Sequence, residues 1–183
     1  TVTPFEKPRV IASRNLDTIL QRDADPGMGE EADGLMVVTP HLRMPWIEAM
    51  MGCLILVEEG WLRAEAFLQH PWDLDALRVS DENVWLQKLL ELTRELVDLW
   101  ERPYFVAHTP LGGPVDVLTA MLGNIDTIYL LADHPDDCEH LLELCADAFI
   151  RSVTAQFELL PRVQGGFCSP LGLWAPGTVV RAQ

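Results

Sequence analysis

Two strand-to-loop junctions constrain this chain more than any other feature: residues 104–116, YFVAHTPLGGPVD, and residues 164–177, QGGFCSPLGLWAPG. Each reads as a short buried strand that breaks at Gly and Pro into a loop of small and polar residues. A long amphipathic helical stretch lies between them. Strands alternating with helices predict an α/β chain with parallel pairing. In such architectures ligands sit at the C-terminal ends of the parallel strands, so both junctions point to a site.

Charge narrows the partners. The 183 residues carry 28 acidic and 13 basic side chains, a formal net charge of −15. That field repels nucleic acid and anionic lipid, which leaves a small-molecule substrate as the expected partner, with no nucleic acid and no membrane. Hydrophobic residues make up 49% of the chain, enough for a core and too many for disorder. The four cysteines, Cys53, Cys138, Cys145 and Cys168, show no CxxC spacing. Cys138 and Cys145, seven apart on a predicted helix, stand roughly 10 Å apart along its axis, beyond disulfide reach. They read as reduced core thiols of a cytoplasmic protein. No apolar run of membrane-spanning length and no signal peptide is evident.

The rest of the chain divides as follows. Residues 15–22 read as a short helix, 23–34 as a Gly/Asp/Glu-rich loop, and 35–39 as a strand. Pro45 favours the first turn of a helix WIEAMMG that ends at Gly52. The continuous apolar run 53–57, CLILV, has the length of a fully buried strand, and a more amphipathic stretch, 61–67, follows it. Residues 70–77 read as a loop. Asp81 is the expected cap of a helix over 82–101, with Trp85, Leu89, Leu92, Leu96 and Leu99 or Trp100 forming its apolar stripe. Pro103 ends it, and 104–108 is the next buried strand. A helix closed by Gly123 follows, then one over 125–132. The longest covers 135–160, with Cys138, Leu141 or Leu142, Cys145, Phe149, Val153 and Phe157 facing inward.

The candidate site residues fall at the two junctions. His108 ends its strand, where it is either a pocket hydrogen-bonder and proton carrier or a ring satisfied by backbone. Asp116 sits in the first turn of the next helix, either facing the mouth or favouring the helix dipole. Gly112 and Gly113 either let backbone N–H groups approach a ligand or make a tight turn. Ser169 ends the second strand; Cys168 alternates with it and reads as core. Trp174 is either a lid over a ligand or a plug for the rim. Glu48 reads as a solvated residue of a short helix, and His70, His134 and His140 as surface histidines. HExxH, GxSxG, Walker and His-x-Cys patterns are absent, so no metal site is complete within the segment.

From about residue 45 onward the chain resembles the uroporphyrinogen decarboxylase superfamily, which includes corrinoid-dependent methyltransferases that methylate thiols. Four segments carry the resemblance: YFVAHTPLGGPVDVLTAMLG, LADHPDDCEHLLEL, AFIRSVTAQFELL and GGFCSPLGLWAPG. The resemblance implies a TIM-type barrel. Ser169 matches the substrate-contacting serine of the decarboxylases. Their tyrosine falls on Ala120. Their essential aspartate has no counterpart in the stretch from Gly52 to Ile55, and the arginine-rich RQAGRY stretch is missing before Pro45; Arg9 and Arg14 do not fit its spacing. Those gaps favour the methyl-transfer branch. There, zinc held by a His-x-Cys pair and a distant Cys activates the thiol, and a corrinoid protein presents the methyl group. In the family those ligands lie beyond the position of Gln183.

The expectation is therefore an incomplete (β/α)₈ barrel, roughly its N-terminal half, because a closed one needs about 250 residues. Residues 1–44 read as an N-terminal extension and 45–183 as the barrel segment. His108 and Asp116 are the expected catalytic residues, and Ser169, Gly112, Gly113 and Trp174 the substrate-binding ones. Zinc is expected only in a methyltransferase extending past this segment. The alternatives are decarboxylation of uroporphyrinogen or another carboxylated substrate, and a non-catalytic ligand-binding barrel. A partial barrel also exposes an unpaired strand edge, which favours aggregation.

Overall fold

Helix starts are written into the sequence, and they organise the molecule. In a computed structural model, the residues described are 37–40, 44–58, 61–69, 76–99 and 104–178. Pro135 opens the longest helix, Pro135–Phe157, with Asp136 and Asp137 in its first turn, where a missing N–H costs nothing and negative charge suits the dipole. Its inward face is Cys138, Leu141, Cys145, Ala148, Phe149, Ser152, Val153 and Gln156, spaced three and four apart.

In chain order the elements are β1 (Val37–Val38), α1 (Trp46–Met50), β2 (Leu54–Glu58), β3 (Trp61–Glu65) and α2 (Val84–Asp98). There follow β4 (Phe105–Val106), α3 (Pro114–Leu122), α4 (Asn124–Asp133), α5 (Pro135–Phe157), β5 (Phe167–Cys168) and β6 (Trp174–Ala175). Gly123 adopts φ 90°, a value that favours glycine, and there α3 and α4 meet at a bend of 107°.

Helix α2 departs from expectation at its start. Asn83, not Asp81, is the cap: its Oδ1 accepts from the Trp85 N–H at 3.0 Å and the Leu86 N–H at 3.2 Å. Its Nδ2 also donates to the Met50 carbonyl at 3.0 Å, tying α2 to α1. Asp81 instead forms a salt bridge with Arg151 of α5. The inward stripe is Leu86, Leu89, Leu90, Leu92, Thr93 and Leu96, with Trp85 half-buried at its edge.

The strands depart from the expected parallel pairing in two places. Residues 54–58 are not a fully buried stave but one arm of an antiparallel hairpin, running from Leu54 opposite Glu65 to Glu58 opposite Trp61. Only two residues separate the arms, far short of the crossover a parallel neighbour requires. Alternation then buries Cys53 and Ile55 and leaves Leu54 48% exposed. Likewise β4 and β5 are not hydrogen-bonded neighbours. β4 pairs in parallel with β1, whereas β5 pairs antiparallel with β6. The α/β character stands, but the described strands pair only two by two.

Two cores hold these pieces. The larger joins α1, α2, α3 and α5 through Ile47, Leu86, Leu89, Val117, Leu118, Met121 and Leu141, each almost wholly buried. The smaller brings Val38, Leu96, Tyr104, Val106, Leu160 and Phe167 together, so the parallel pair and the β5 hairpin share apolar contacts without sharing a sheet. Helix α4 buries only Leu130 and leaves Ile125, Ile128, Tyr129 and Leu131 exposed. Among the described residues no single helix is long and apolar enough to cross a membrane. The expected helix at 15–22, the loop at 23–34 and His70 lie outside the described residues.

Candidate functional site at the ends of β1 and β4

Beyond the C-terminal end of the parallel pair lie residues 39–40, residues 44–48 at the start of α1, and residues 107–116, leading into α3. The Ala107 N–H donates to the Val38 carbonyl at 2.9 Å, so the strands separate just beyond that bond. Among the described residues, four buried side-chain atoms have no hydrogen-bond partner: Thr39 Oγ1, Trp46 Nε1, Glu48 Oε2 and Thr109 Oγ1. All four belong to these segments. Buried polar atoms are almost always paired, and each unpaired one costs on the order of 1–3 kcal/mol. Their gathering at one end of the parallel pair marks that end as the candidate site. Trp46 and Glu48 stand about 200° apart around α1. Trp46 packs edge-on against Trp85, its ring 6.4 Å away, while Glu48 turns toward the 107–116 loop.

His108 is buried, and its Nδ1 lies 2.8 Å from the Thr109 carbonyl. A carbonyl only accepts, so Nδ1 is the donor in this bond. The backbone-satisfied alternative is thus realised at Nδ1. The next peptide is fixed from α5: the Thr109 N–H donates to Gln156 Oε1 at 2.9 Å, and Gln156 Nε2 donates to the Ser152 carbonyl at 3.2 Å.

Gly113 caps α3, and its N–H donates to Asp116 Oδ2 at 3.1 Å. Glycine has no side chain to return the bond, so this is half of a capping box. Asp116 is exposed and serves the helix start. Gly112 has a tighter reason to be glycine. A Cβ there would stand 2.9 Å from Glu48 Oε1 and 3.6 Å from Asp116 Cβ.

Glu48 is the residue that sequence reasoning missed. It is only 9% exposed rather than solvated, enclosed by α1, α3 and α5. Burial holds its carboxyl above the ordinary value of 4.5, and the Asp116 charge pushes the same way. The signal was there: in WIEAM it is the lone polar residue of a five-residue helix whose every other side chain is apolar. The Cys53 and Cys145 thiols are pushed up to about 12, by burial first and by Glu48 second.

The second junction is built differently. Ser169 Oγ accepts from the Leu171 N–H at 3.3 Å and the Leu173 N–H at 3.2 Å, so its hydroxyl stabilises its own turn. Ser169 and Cys168 are both buried, because the chain leaves the strand between them and the alternation ends. Trp174 is 43% exposed in β6 and its Nε1 donates to the Val163 carbonyl at 2.9 Å, so it is pinned to its hairpin. Aromatic contacts link His108 to this hairpin: its ring is 5.3 Å from Phe157, which is 5.0 Å from Phe167. The structure therefore brings Gly112, Gly113 and Asp116 together with Glu48, with His108 in the same loop, and holds Ser169 and Trp174 in a separate hairpin.

A groove of about 870 Å³ lies elsewhere, between α2 and α5, lined by Arg78, Asp81, Leu90, Leu144, Asp147 and Arg151 among others. It includes none of the strand-end residues. Among the described residues no group of three His, Cys, Asp or Glu side chains is placed to hold a metal ion.

No protein-family model matches the sequence, and no curated protein matches it. A solved structure does: a methyltransferase from Methanosarcina mazei, 18% identical, with a TM-score of 0.61. The match covers 85% of this chain and 44% of that protein, so the chain spans less than half its length. At that identity the likeness speaks for the fold, which is methyltransferase-like.

Proposed function

We propose that this chain belongs to the methyl-transferring branch of the uroporphyrinogen-decarboxylase-like enzymes, built on a TIM-type barrel, and that the mouth beyond β1 and β4 receives a small thiol. The observation that carries the reading is the fold shared with the Methanosarcina mazei methyltransferase. The unpaired polar atoms at the end of its parallel pair support the location. In the reaction the methyl carbon leaves a corrinoid protein's cobalt, which keeps the electron pair, and bonds to the thiolate sulfur. The thiol proton passes to His108, in the mouth loop, as the thiolate forms. The cobalt belongs to the methyl donor, and no step is assigned to a metal held by this chain. Incubating the full chain with methylcobalamin and a thiol tests this: loss of the methyl–cobalt absorption, dependent on protein, supports methyl transfer, and a rate equal to the protein-free control removes it.

One observation favours a second reading. Loss of carbon dioxide from a carboxylate leaves an electron pair on carbon that must take up a proton, and Glu48 is a buried carboxyl held toward its acid form. Protein-dependent release of carbon dioxide from a carboxylated substrate supports this reading over methyl transfer.

A further inference from the structure

Glu48 sits where a carboxyl needs a reason. Among the described residues no cation acts on it: burial raises its pKa, a backbone hydrogen bond at Glu48 itself opposes that, and the titratable groups that face it are Asp116 from α3, Cys145 from α5 and Cys53 just after α1. Its Oε2 is buried without a partner, and its Oε1 lies 2.9 Å from where a Cβ on Gly112 would stand. The loop it faces offers more unspent donors. Thr109 Oγ1 is wholly buried and unpaired three residues earlier. At the start of α3, Pro114 has no N–H and the Gly113 N–H is taken by Asp116. The N–H groups of Val115 and Asp116 have no acceptor within the helix, as in any first turn.

We propose that Glu48 is the ligand-facing hydrogen-bond donor of the strand-end site, and that it receives an uncharged oxygen acceptor, a carbonyl or ether oxygen, of a small molecule lodged against the Gly112–Gly113 turn. A protonated Glu48 and the first-turn N–H groups of α3 offer donors at this turn, which suits an acceptor. An anion is disfavoured because Asp116 stands at the same turn and the chain carries a net charge of −15. Glu48 donates only while it keeps its proton, and burial beside another carboxylate favours that form. Gly112 belongs to the same device: any side chain there meets the Glu48 carboxyl.

The inference rests on the proposed function only for where the site lies. It is tested by carbon-13 NMR on the full chain with labelled glutamate carboxyls, titrated with acetamide and with sodium acetate. One carboxyl resonance, missing in Glu48→Gln, is expected to titrate above the surface glutamates and to shift with acetamide but not with acetate. Acetamide affinity is expected to survive in Glu48→Gln, whose amide also donates, and to fall roughly tenfold in Glu48→Leu, the worth of one hydrogen bond. A Glu48 resonance that titrates with the surface glutamates, a response to acetate, or equal affinity in the Gln and Leu variants overturns the proposal. Because no turnover is needed, acetamide binding in a protein without methyl transfer removes only the reaction. Methyl transfer without acetamide binding removes only this donor.

Discussion

A Cβ on Gly112 would stand 2.9 Å from Glu48 Oε1, so the two residues compete for one space. This pairing joins the helix that follows β1 to the loop that follows β4. Gly112→Ala is therefore expected to destabilise the chain by about 1–3 kcal/mol through overpacking. In a Glu48→Ala background the same change is expected to cost much less. Urea unfolding of the four proteins in this cycle gives the coupling, and additive costs would show that the contact does not constrain the loop.

Glu48 also sets a pH dependence. Its folded-state pKa is raised, so the folded chain binds the proton more tightly than the unfolded chain does. The stability this contributes is complete below the ordinary value of 4.5 and is lost as pH rises through the raised folded value. Unfolding free energies across the acid-to-neutral range are expected to decline less in Glu48→Gln than in wild type. Parallel curves would mean that Glu48 titrates normally.

The four cysteines are free and buried, and the pKa values of about 12 at Cys53 and Cys145 leave almost no thiolate at neutral pH. Alkylation of those two by iodoacetamide is expected to proceed at the rate of unfolding, with a burst only in denaturant. Rapid modification of Cys145 in the native state would place it in contact with solvent.

Gln156 fixes the loop of His108 from below, by accepting the Thr109 N–H. Gln156→Leu leaves that buried donor unpaired, an expected loss of about 1–3 kcal/mol. Amide exchange at Thr109 is expected to accelerate in the variant beyond the global change. Asn83→Ala removes the α2 cap and is expected to cost roughly 0.5–2 kcal/mol.

Much of the helical framework was legible in the sequence, because Pro135, Pro114 and Gly123 mark helix ends and Cys138, Leu141, Cys145 and Phe149 repeat at helical spacing. The strands were harder. CLILV reads as buried because the run is apolar throughout, but pairing is decided by connection length, and two residues before Trp61 allow only a hairpin. The cap was expected at Asp81 and lies at Asn83, because both residue types cap well and only the backbone decides which N–H groups lie within reach. The loop 107–113 was recognised as a mouth, yet Glu48 was not, since its burial comes from helices far away in sequence.

The location of the site is the claim on which the account turns, and amide-resolved NMR with 2-mercaptoethanol as the added thiol tests it most directly. Shifts concentrated at Thr39, Glu48, Thr109 and Gly112 are the predicted result. Shifts confined to the α2–α5 groove around Arg78, Leu90 and Arg151, or none anywhere, would contradict it.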